Sequence, residues 1–525
     1  MSFPLNILVG VLAIFITALA TLLIFPYAFA SVAKSPKKLE PKEPKRRTTK
    51  DPHSFITDLG SGDHTNEQSI RSSEVPHVRD RLVANDTLNT PGIQSVIVLD
   101  VPLASLDGSI IKLGERAIPG HFRLIDCNAF LDFHLLRVVQ YAKFLPKELS
   151  YAAISYPWRD LQLSEGTHLS LGCFGVHGAE EADPITVGVL RTACIAACKF
   201  GASLLWLDRL CMIQSSKPDK SWQITRMSTV YAHANPCLVL PGGLVRLAHL
   251  NEPTTWIDRA WTLQEAAANP IREAVKCVYA FPHTTFPDFA RNLPNFSNYS
   301  ASFRSNLTES DYQIFMQHII EPGHSAACDL LDFILHIHWM SETFDFADPV
   351  LSKDYCNLPV RMISVPAASL LRQALKVDRS VNRQLLWMSA FVRTSSRPVD
   401  MIFSFMGLVG AQLQVADFGV NDRKGATIKL IQTLLGRGEP AVWLFIAPEL
   451  PPSPELSILP VFPETSVSGR AMIRTSEGLK LAFEEIGLKE PWRAHGAPKG
   501  VMSDDGYFTF SAKGAPALGG MCFVW

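Results

Sequence analysis

Apolar positions fall into three patterns along the chain, and each predicts a different element. Residues 7–25 read ILVGVLAIFITALATLLIF, without a single charge, and apolar side chains continue to Ala30. A helix of ~20 such residues spans the hydrocarbon core of a bilayer, so residues 1–30 predict one N-terminal transmembrane helix. Short runs rich in β-branched and aromatic side chains, SVIVLDVPL at 95–103, FRLID at 122–126 and YAAISY at 151–156, predict strands. The third pattern is helical. Ile185, Val189, Leu190, Ala193, Ala197 and Phe200 recur at the spacing of one helix face, with Asp183 as expected N-cap, Pro184 at the first helical position and Gly201 as the stop.

That helix leads into LLWL at 204–207, read as a strand. A second helix is expected over 221–234, and PCLVL at 236–240 forms another strand closed by Gly242 and Gly243. Strand, helix, strand, helix, strand is the signature of an α/β fold with a mostly parallel sheet flanked by helices. Helical periodicity then marks 325–340, 364–375, 384–392 and 426–435, before a proline-rich stretch at 448–456. The expected organisation is an anchor at 1–30, a flexible basic and polar linker at 31–92 and an α/β domain at 93–290. A helical accessory region at 291–450 and a strand and loop region at 451–525 follow.

Charge refines the N-terminal part. The formal net charge is -1, yet eight bases between Lys34 and Lys50 face only Glu40 and Glu43. Bases directly after an apolar span place the following chain in the cytosol. The expected location is therefore a membrane, single-pass, with the C-terminal bulk cytosolic and residues 7–30 in the lipid bilayer. A cleaved signal peptide is the rival, since Ala28-Phe29-Ala30 fits a cleavage site, but no basic segment precedes the apolar run. The sequons at Asn85, Asn295, Asn298 and Asn306 matter only if the bulk is luminal. Ten scattered cysteines without a C-x-x-C pair suggest reduced thiols rather than a disulfide scaffold. The basic run lies outside the folded part, so no nucleic-acid partner is expected.

Candidate chemistry concentrates at LLWLDRLCMIQ, residues 204–214, where an apolar strand runs into Asp208, Arg209, Cys211 and Gln214. Buried polar groups of this kind either close a hydrogen-bond network or line a site, and sites in parallel sheets form at the carboxyl ends of strands. The sequence contains no phosphate-binding glycine loop, no H-E-x-x-H and no G-x-S-x-G. His336 and His338, read as facing one side of a strand, lack a third ligand at suitable spacing. Cys194 and Cys198, one helical turn apart, read as helix packing. No metal and no cofactor are expected.

YAAISYPW at 151–158, LLWLDRLCMIQ followed by Trp222, Met227, Tyr231 and Ala234, and RAWTLQE at 259–265 occur in the order found in fungal heterokaryon-incompatibility (HET) domains. RTSSRPVDMIFSFMGL at 393–408 resembles the segment that follows the HET core in larger members. The resemblance, good over roughly residues 122–265, implies a role in fungal nonself recognition and programmed cell death. It also implies a fold related to Toll/interleukin-1-receptor-like domains, some of which cleave NAD. Three positions depart from the family pattern: Arg159 and Ala260 stand where glycine is usual, and Thr225 stands where many members carry a glutamate. If that glutamate were the acid of an NAD-cleaving site, Glu265 would be the surviving candidate.

The candidate catalytic residues are Glu265 and Asp208. The candidate ligand- or partner-binding residues are Tyr156, Trp158, Arg209, Cys211, Gln214, Tyr231, Arg259, Trp261 and Gln264. Each has a structural alternative. Trp158, Trp206, Trp222 and Trp261 serve by default as core packing, Asp208 and Arg259 are either an architectural charge pair or site residues, and Cys211 reads as a small buried hydrophobe. Three functions remain open: a membrane-anchored signalling protein acting through an unknown protein partner or self-association, an NAD-hydrolysing enzyme, and a non-enzymatic scaffold.

Overall fold

Tyr151–Ser155 is buried along its whole length, as a strand covered on both faces must be, and it lies near the middle of a nine-stranded sheet. The computed structural model describes residues 93–159, 172–283, 285, 313–345, 360–376, 383–464, 469–486 and 496–511. The expected transmembrane helix and linker, and all four sequons, lie outside the described residues. Among the described residues, no helix is long and apolar enough to cross a membrane.

The sheet comprises β1 (Ser95–Pro102), β2 (Phe122–Asp126), β3 (Leu135–Tyr141), β4 (Tyr151–Ser155), β5 (Leu204–Trp206), β6 (Cys237–Val239), β7 (Val275–Ala280), β8 (His318–Glu321) and β9 (Ser325–Asp329). Their spatial order is β1-β3-β2-β5-β4-β6-β7-β9-β8. Only β5, β4, β6 and β7 run parallel to one another. All pairings outside them are antiparallel. The sheet is therefore mixed, with a parallel centre and antiparallel flanks, which corrects the mostly parallel expectation. Connection length accounts for two of the antiparallel pairs: a parallel crossover needs a dozen or more residues, whereas β2 is joined to β3, and β8 to β9, by shorter segments.

Strand β9 and the helix after it correct the expectation of one helix over 325–340. Residues Ser325–Asp329 are a strand and the helix is Leu330–Asp345; a short run of small apolar residues carries no period that separates the two states. His336 and His338 consequently lie on a helix, not a strand.

Three helices shape the strand ends: α1 (Val187–Lys199), α2 (Asp208–Cys211) and α3 (Lys217–His233). Helix α1 starts later than Asp183 and Pro184 suggest, because Ile185–Thr186 first pairs with Cys173–Val176 in a small separate sheet. Gly201 does end it, at φ +88. Helix α3 starts earlier than expected because the Ser216 side chain caps Asp219 N and Pro218 occupies the first turn, a start signalled by polar rather than apolar residues.

One buried ion pair ties these pieces together. Arg123 on β2 meets Asp219 in the first turn of α3 at 3.0 Å, with both side chains fully buried. Arg123 also donates to the Cys211 carbonyl at 3.0 Å, and Asp219 accepts from Ile213 N at 2.7 Å. The segment between α2 and α3 is thus held at Cys211 and Ile213.

Beyond the sheet, α4 (Ala260–Ala267) packs against α5 (Asp400–Met406). Gly407 makes this approach possible: a Cβ there would lie 2.3 Å from Ser228 Cβ and 3.0 Å from Gln264 Oε1. Helices Val365–Lys376, Arg383–Phe391 and Arg423–Gly436 close to their expected bounds join the same continuous core, which runs from Val98 to Met502. Short paired strands follow at Met472–Thr475 with Gly478–Leu481 and at Gly500–Met502 with Phe508–Phe510.

Candidate functional site

Strand order locates the site. From the carboxyl end of β4 the chain crosses to β5 on one side, whereas from β6 it proceeds to β7 on the other. Neighbouring strands whose connections diverge leave a crevice at their carboxyl ends. The end of β4 delivers Ser155, Tyr156 and Trp158 to this crevice, the end of β5 delivers Asp208, and the connection after β6 returns Glu265 on α4. Tyr156, Trp158, Asp208 and Glu265 line a cleft of about 340 Å³, with Ser155 behind Glu265.

Asp208 and Glu265 play different parts. Asp208 has both carboxyl oxygens occupied: Oδ1 accepts from the Tyr156 hydroxyl and from Arg209 N, both at 2.7 Å, and Oδ2 accepts from the Trp158 indole N–H at 2.6 Å. Its main-chain carbonyl accepts from Gln214 Nε2 at 2.9 Å. Burial raises the Asp208 carboxyl above its ordinary value, while the Tyr156 and Trp158 hydrogen bonds oppose the rise. Asp208 is a clamp that fixes Trp158 on the cleft wall. Its side-chain clamp is made with Tyr156, Trp158 and the main chain of Arg209, which places the architectural contact away from Arg259.

Glu265 accepts a hydrogen bond at Oε2 from Ser155 Oγ, at 2.6 Å. Ser155 Oγ in turn accepts from the buried Trp256 indole N–H at 2.9 Å, so the serine proton is directed at the carboxylate. Burial pushes the Glu265 carboxyl up to about 8; the Ser155 hydrogen bond lowers it, the Asp208 charge adds to the rise and the Arg393 charge opposes it. A carboxyl group tuned toward neutrality inside a cleft has the character of a functional site.

The opposite wall comes from far along the chain. Thr394 N donates to the Asp258 carbonyl at 2.7 Å, and Ala260 N donates to the Thr394 carbonyl at 2.9 Å, which docks this segment beside the start of α4. Arg393 reinforces the junction from a buried position, donating to the Arg259 carbonyl at 3.0 Å and to Thr262 Oγ1 at 2.9 Å. Asp400 accepts from the Trp261 indole N–H at 3.2 Å. Burial raises the Asp400 carboxyl, and the Trp261 hydrogen bond opposes that rise.

Of the sequence candidates, the cleft gathers Glu265, Asp208, Tyr156, Trp158, Gln214, Arg259 and Trp261. Arg209, Cys211, Tyr231 and Gln264 are buried behind it. Tyr231 donates to the Ile154 carbonyl at 2.7 Å, Arg209 donates to the Asp183 carbonyl, and burial pushes the Cys211 thiol up to about 12. These contacts are those of framework residues. Arg159 pairs with Glu181 at the cleft edge, and Thr225 bonds back to the Ser221 carbonyl within its helix at 2.7 Å. Ser155, Lys220, Arg397 and Asp400 also line or support the cleft and escaped the sequence reading. Ser155 stood inside the YAAISYPW block. Arg397 and Asp400 stood inside the RTSSRPVDMIFSFMGL block, which carries no local sign of their distant partners.

No group of His, Cys, Asp and Glu suited to a metal ion occurs among the described residues. No curated protein and no solved structure matches the chain. Residues 151–246 match the family model described as Heterokaryon incompatibility protein (HET). This stretch contains β4, β5 and β6 and the Asp208 clamp, and it ends before Glu265. The strands that open the cleft and the wall that holds Trp158 therefore belong to a heterokaryon-incompatibility (HET) domain, which this protein carries at residues 151–246.

Proposed function

We propose that the protein is a nonself-recognition component that starts programmed cell death, and that its HET domain does so by hydrolysing a nucleotide of the NAD class in the cleft. The observation that carries this reading is the placement of Glu265: a buried carboxylate with one oxygen held by Ser155, facing a cleft walled by Trp158 and Trp261. An enclosed carboxylate of this kind suits a small ligand better than a protein surface. The proposal includes the kinship to Toll/interleukin-1-receptor-like domains that the sequence resemblance implies.

In the reaction, the N-glycosidic bond breaks with its electron pair leaving on the base. Positive charge develops on the ribose, water adds at the anomeric carbon and a proton passes to solvent. Ionised Glu265 stabilises that developing charge, and the two indoles provide aromatic surface for a base. Burial keeps Glu265 mostly protonated at neutral pH; a cationic pyridinium favours its ionised form.

The test measures cellular NAD and viability together after induced expression, in a fungal host, of the wild-type chain and of Glu265→Gln. A fall in NAD before death, with the wild type alone, supports hydrolysis. Death with NAD unchanged rejects it in favour of partner contact or self-association, and no effect from either chain favours a scaffold.

We also propose that residues 7–30 tether the protein to a bilayer, with the bulk on the cytosolic side and residues 31–92 as spacer. The uncharged apolar run followed by the basic run supports this. Removal of residues 1–30 is expected to release the protein from membranes; a truncated chain that still pellets with them after a carbonate wash rejects the tether.

A further inference from the structure

We propose that Lys220 and Arg397 form a subsite at the rim of the cleft for the phosphate groups of a diphosphate-bearing nucleotide. This rests on the nucleotide reading above and extends it to two residues that belong to different regions of the chain. Lys220 lies in the first turns of α3, partly buried; Arg397 lies exposed just before α5. Both line the cleft.

The other charged groups around the cleft are engaged. Arg159 pairs with Glu181. Glu180 accepts from Gly178 N at 2.8 Å and contacts His177 Nδ1 at 3.0 Å. Asp400 holds the Trp261 indole, and Arg259 has interactions of its own. By contrast, the Lys220 ammonium and the Arg397 guanidinium make no hydrogen bond or ion pair among the described residues. Burial and then the nearby Arg397 charge hold the Lys220 ammonium below its ordinary value, so the two cations feel each other. The Arg397 charge also opposes the rise of the Asp400 carboxyl, but that carboxylate is bonded to the Trp261 indole, so Lys220 and Arg397 together still present two like charges that a further anion stabilises.

Phosphate is the anion that fits. The planar guanidinium fork binds phosphate oxygens in pairs, and an ammonium complements it as a compact point charge. Size points the same way. A cleft of about 340 Å³ is near the small end of the roughly 300–1,000 Å³ range of ligand pockets. It accommodates a base and its sugar beside Glu265, which leaves a diphosphate at the rim, where Lys220 and Arg397 stand.

Calorimetric titration of the full chain in detergent with ADP-ribose, inorganic pyrophosphate and adenosine tests the subsite, using the wild type, Lys220→Gln, Arg397→Gln and Arg397→Lys. ADP-ribose affinity is expected to fall about tenfold or more in each Gln variant, the scale of a lost charge-assisted hydrogen bond. It should recover in part in Arg397→Lys and weaken with salt, while adenosine binding stays unchanged. Thermal unfolding at the wild-type midpoint verifies that the variants are folded. Unchanged ADP-ribose affinity in both Gln variants, or no ADP-ribose binding by the wild type, overturns the subsite. Pyrophosphate binding as tight as ADP-ribose overturns the nucleotide assignment. Arg397-dependent ADP-ribose binding without NAD cleavage keeps the subsite and rejects hydrolysis; Glu265-dependent cleavage with KM unaltered in the Gln variants rejects the subsite and keeps hydrolysis.

Discussion

The two walls of the cleft use the same device in different settings. On one wall Asp208 holds the indole N–H of Trp158, fifty residues away in sequence, at 2.6 Å. On the other, Asp400 holds the indole of Trp261 across 139 residues, at 3.2 Å. The first clamp is buried, accepts two further hydrogen bonds and lies within the HET-matched segment. The second lies outside that segment, on a helix docked by Thr394 and Gly407. One wall is built into the sheet, the other is brought to it. The difference suggests that the HET core supplies a preformed half-site and the C-terminal helices complete it.

The largest expected effect concerns Glu265, the carboxylate between the walls. Its folded value of about 8 exceeds the ordinary 4.5. Between those values the folded state keeps a proton that the unfolded state has lost, so this group's contribution to stability is full below pH 4.5 and declines as pH rises toward 8. The slope is about 1.4 kcal/mol per pH unit. Urea unfolding at pH 5 and pH 8 is expected to show that decline in the wild type and a shallower one in Glu265→Gln; equal slopes would sink the assignment. In turnover the sign reverses: kcat/KM for NAD is expected to rise with pH and level off above about 8, because the ionised form acts.

Asp208→Ala tests the built-in wall. It strands the Tyr156 hydroxyl and the Trp158 and Arg209 N–H groups, and a loss of about 3 kcal/mol is expected in denaturant unfolding. Gly407→Ala tests the docked wall. The new methyl would overlap Ser228, an overpacking worth about 2 kcal/mol, and ADP-ribose binding should weaken along with stability. Unchanged stability in this variant would mean that the C-terminal helices do not dock as described.

Asp400→Ala, which removes a longer hydrogen bond from a partly exposed indole and a second from Ser395, is expected to cost about 1–2 kcal/mol. A loss equal to that of Asp208→Ala would erase the distinction between the walls. Cys211→Ala should leave NAD cleavage unchanged, since a thiol held near 12 supplies almost no thiolate at neutral pH. Loss of cleavage in a stably folded Cys211→Ala chain would return that residue to the site.

The legible part of this molecule is the part whose signals are local. The strands at FRLID and YAAIS and the helix after Thr186 were readable because burial repeats within a few residues. The antiparallel flanks were less so: β9, with four of its five residues buried, merges in sequence with the helix that follows. Among site residues, Asp208 was marked because a polar group stood inside an apolar run, and Trp158 and Glu265 because they stood in blocks that resemble HET domains. Ser155 shows no such contrast, as a serine among small residues in a strand is common, and its importance appears only when Trp256 and Glu265 converge on its hydroxyl.

The sequence by itself determined the central strands and the blocks that resemble the HET domain, because each depends on side chains near one another along the chain. Only the tertiary structure decided which carboxylate keeps an unbonded oxygen. Asp208 is saturated by three donors while Glu265 keeps an oxygen for the cleft, and no local pattern encodes that count. It also decided that Arg397 and Asp400 reach the site at all. Bringing them there depends on the summed packing of α5 on α4 and on the absence of a side chain at Gly407, contacts whose energy is spread over residues far apart in sequence.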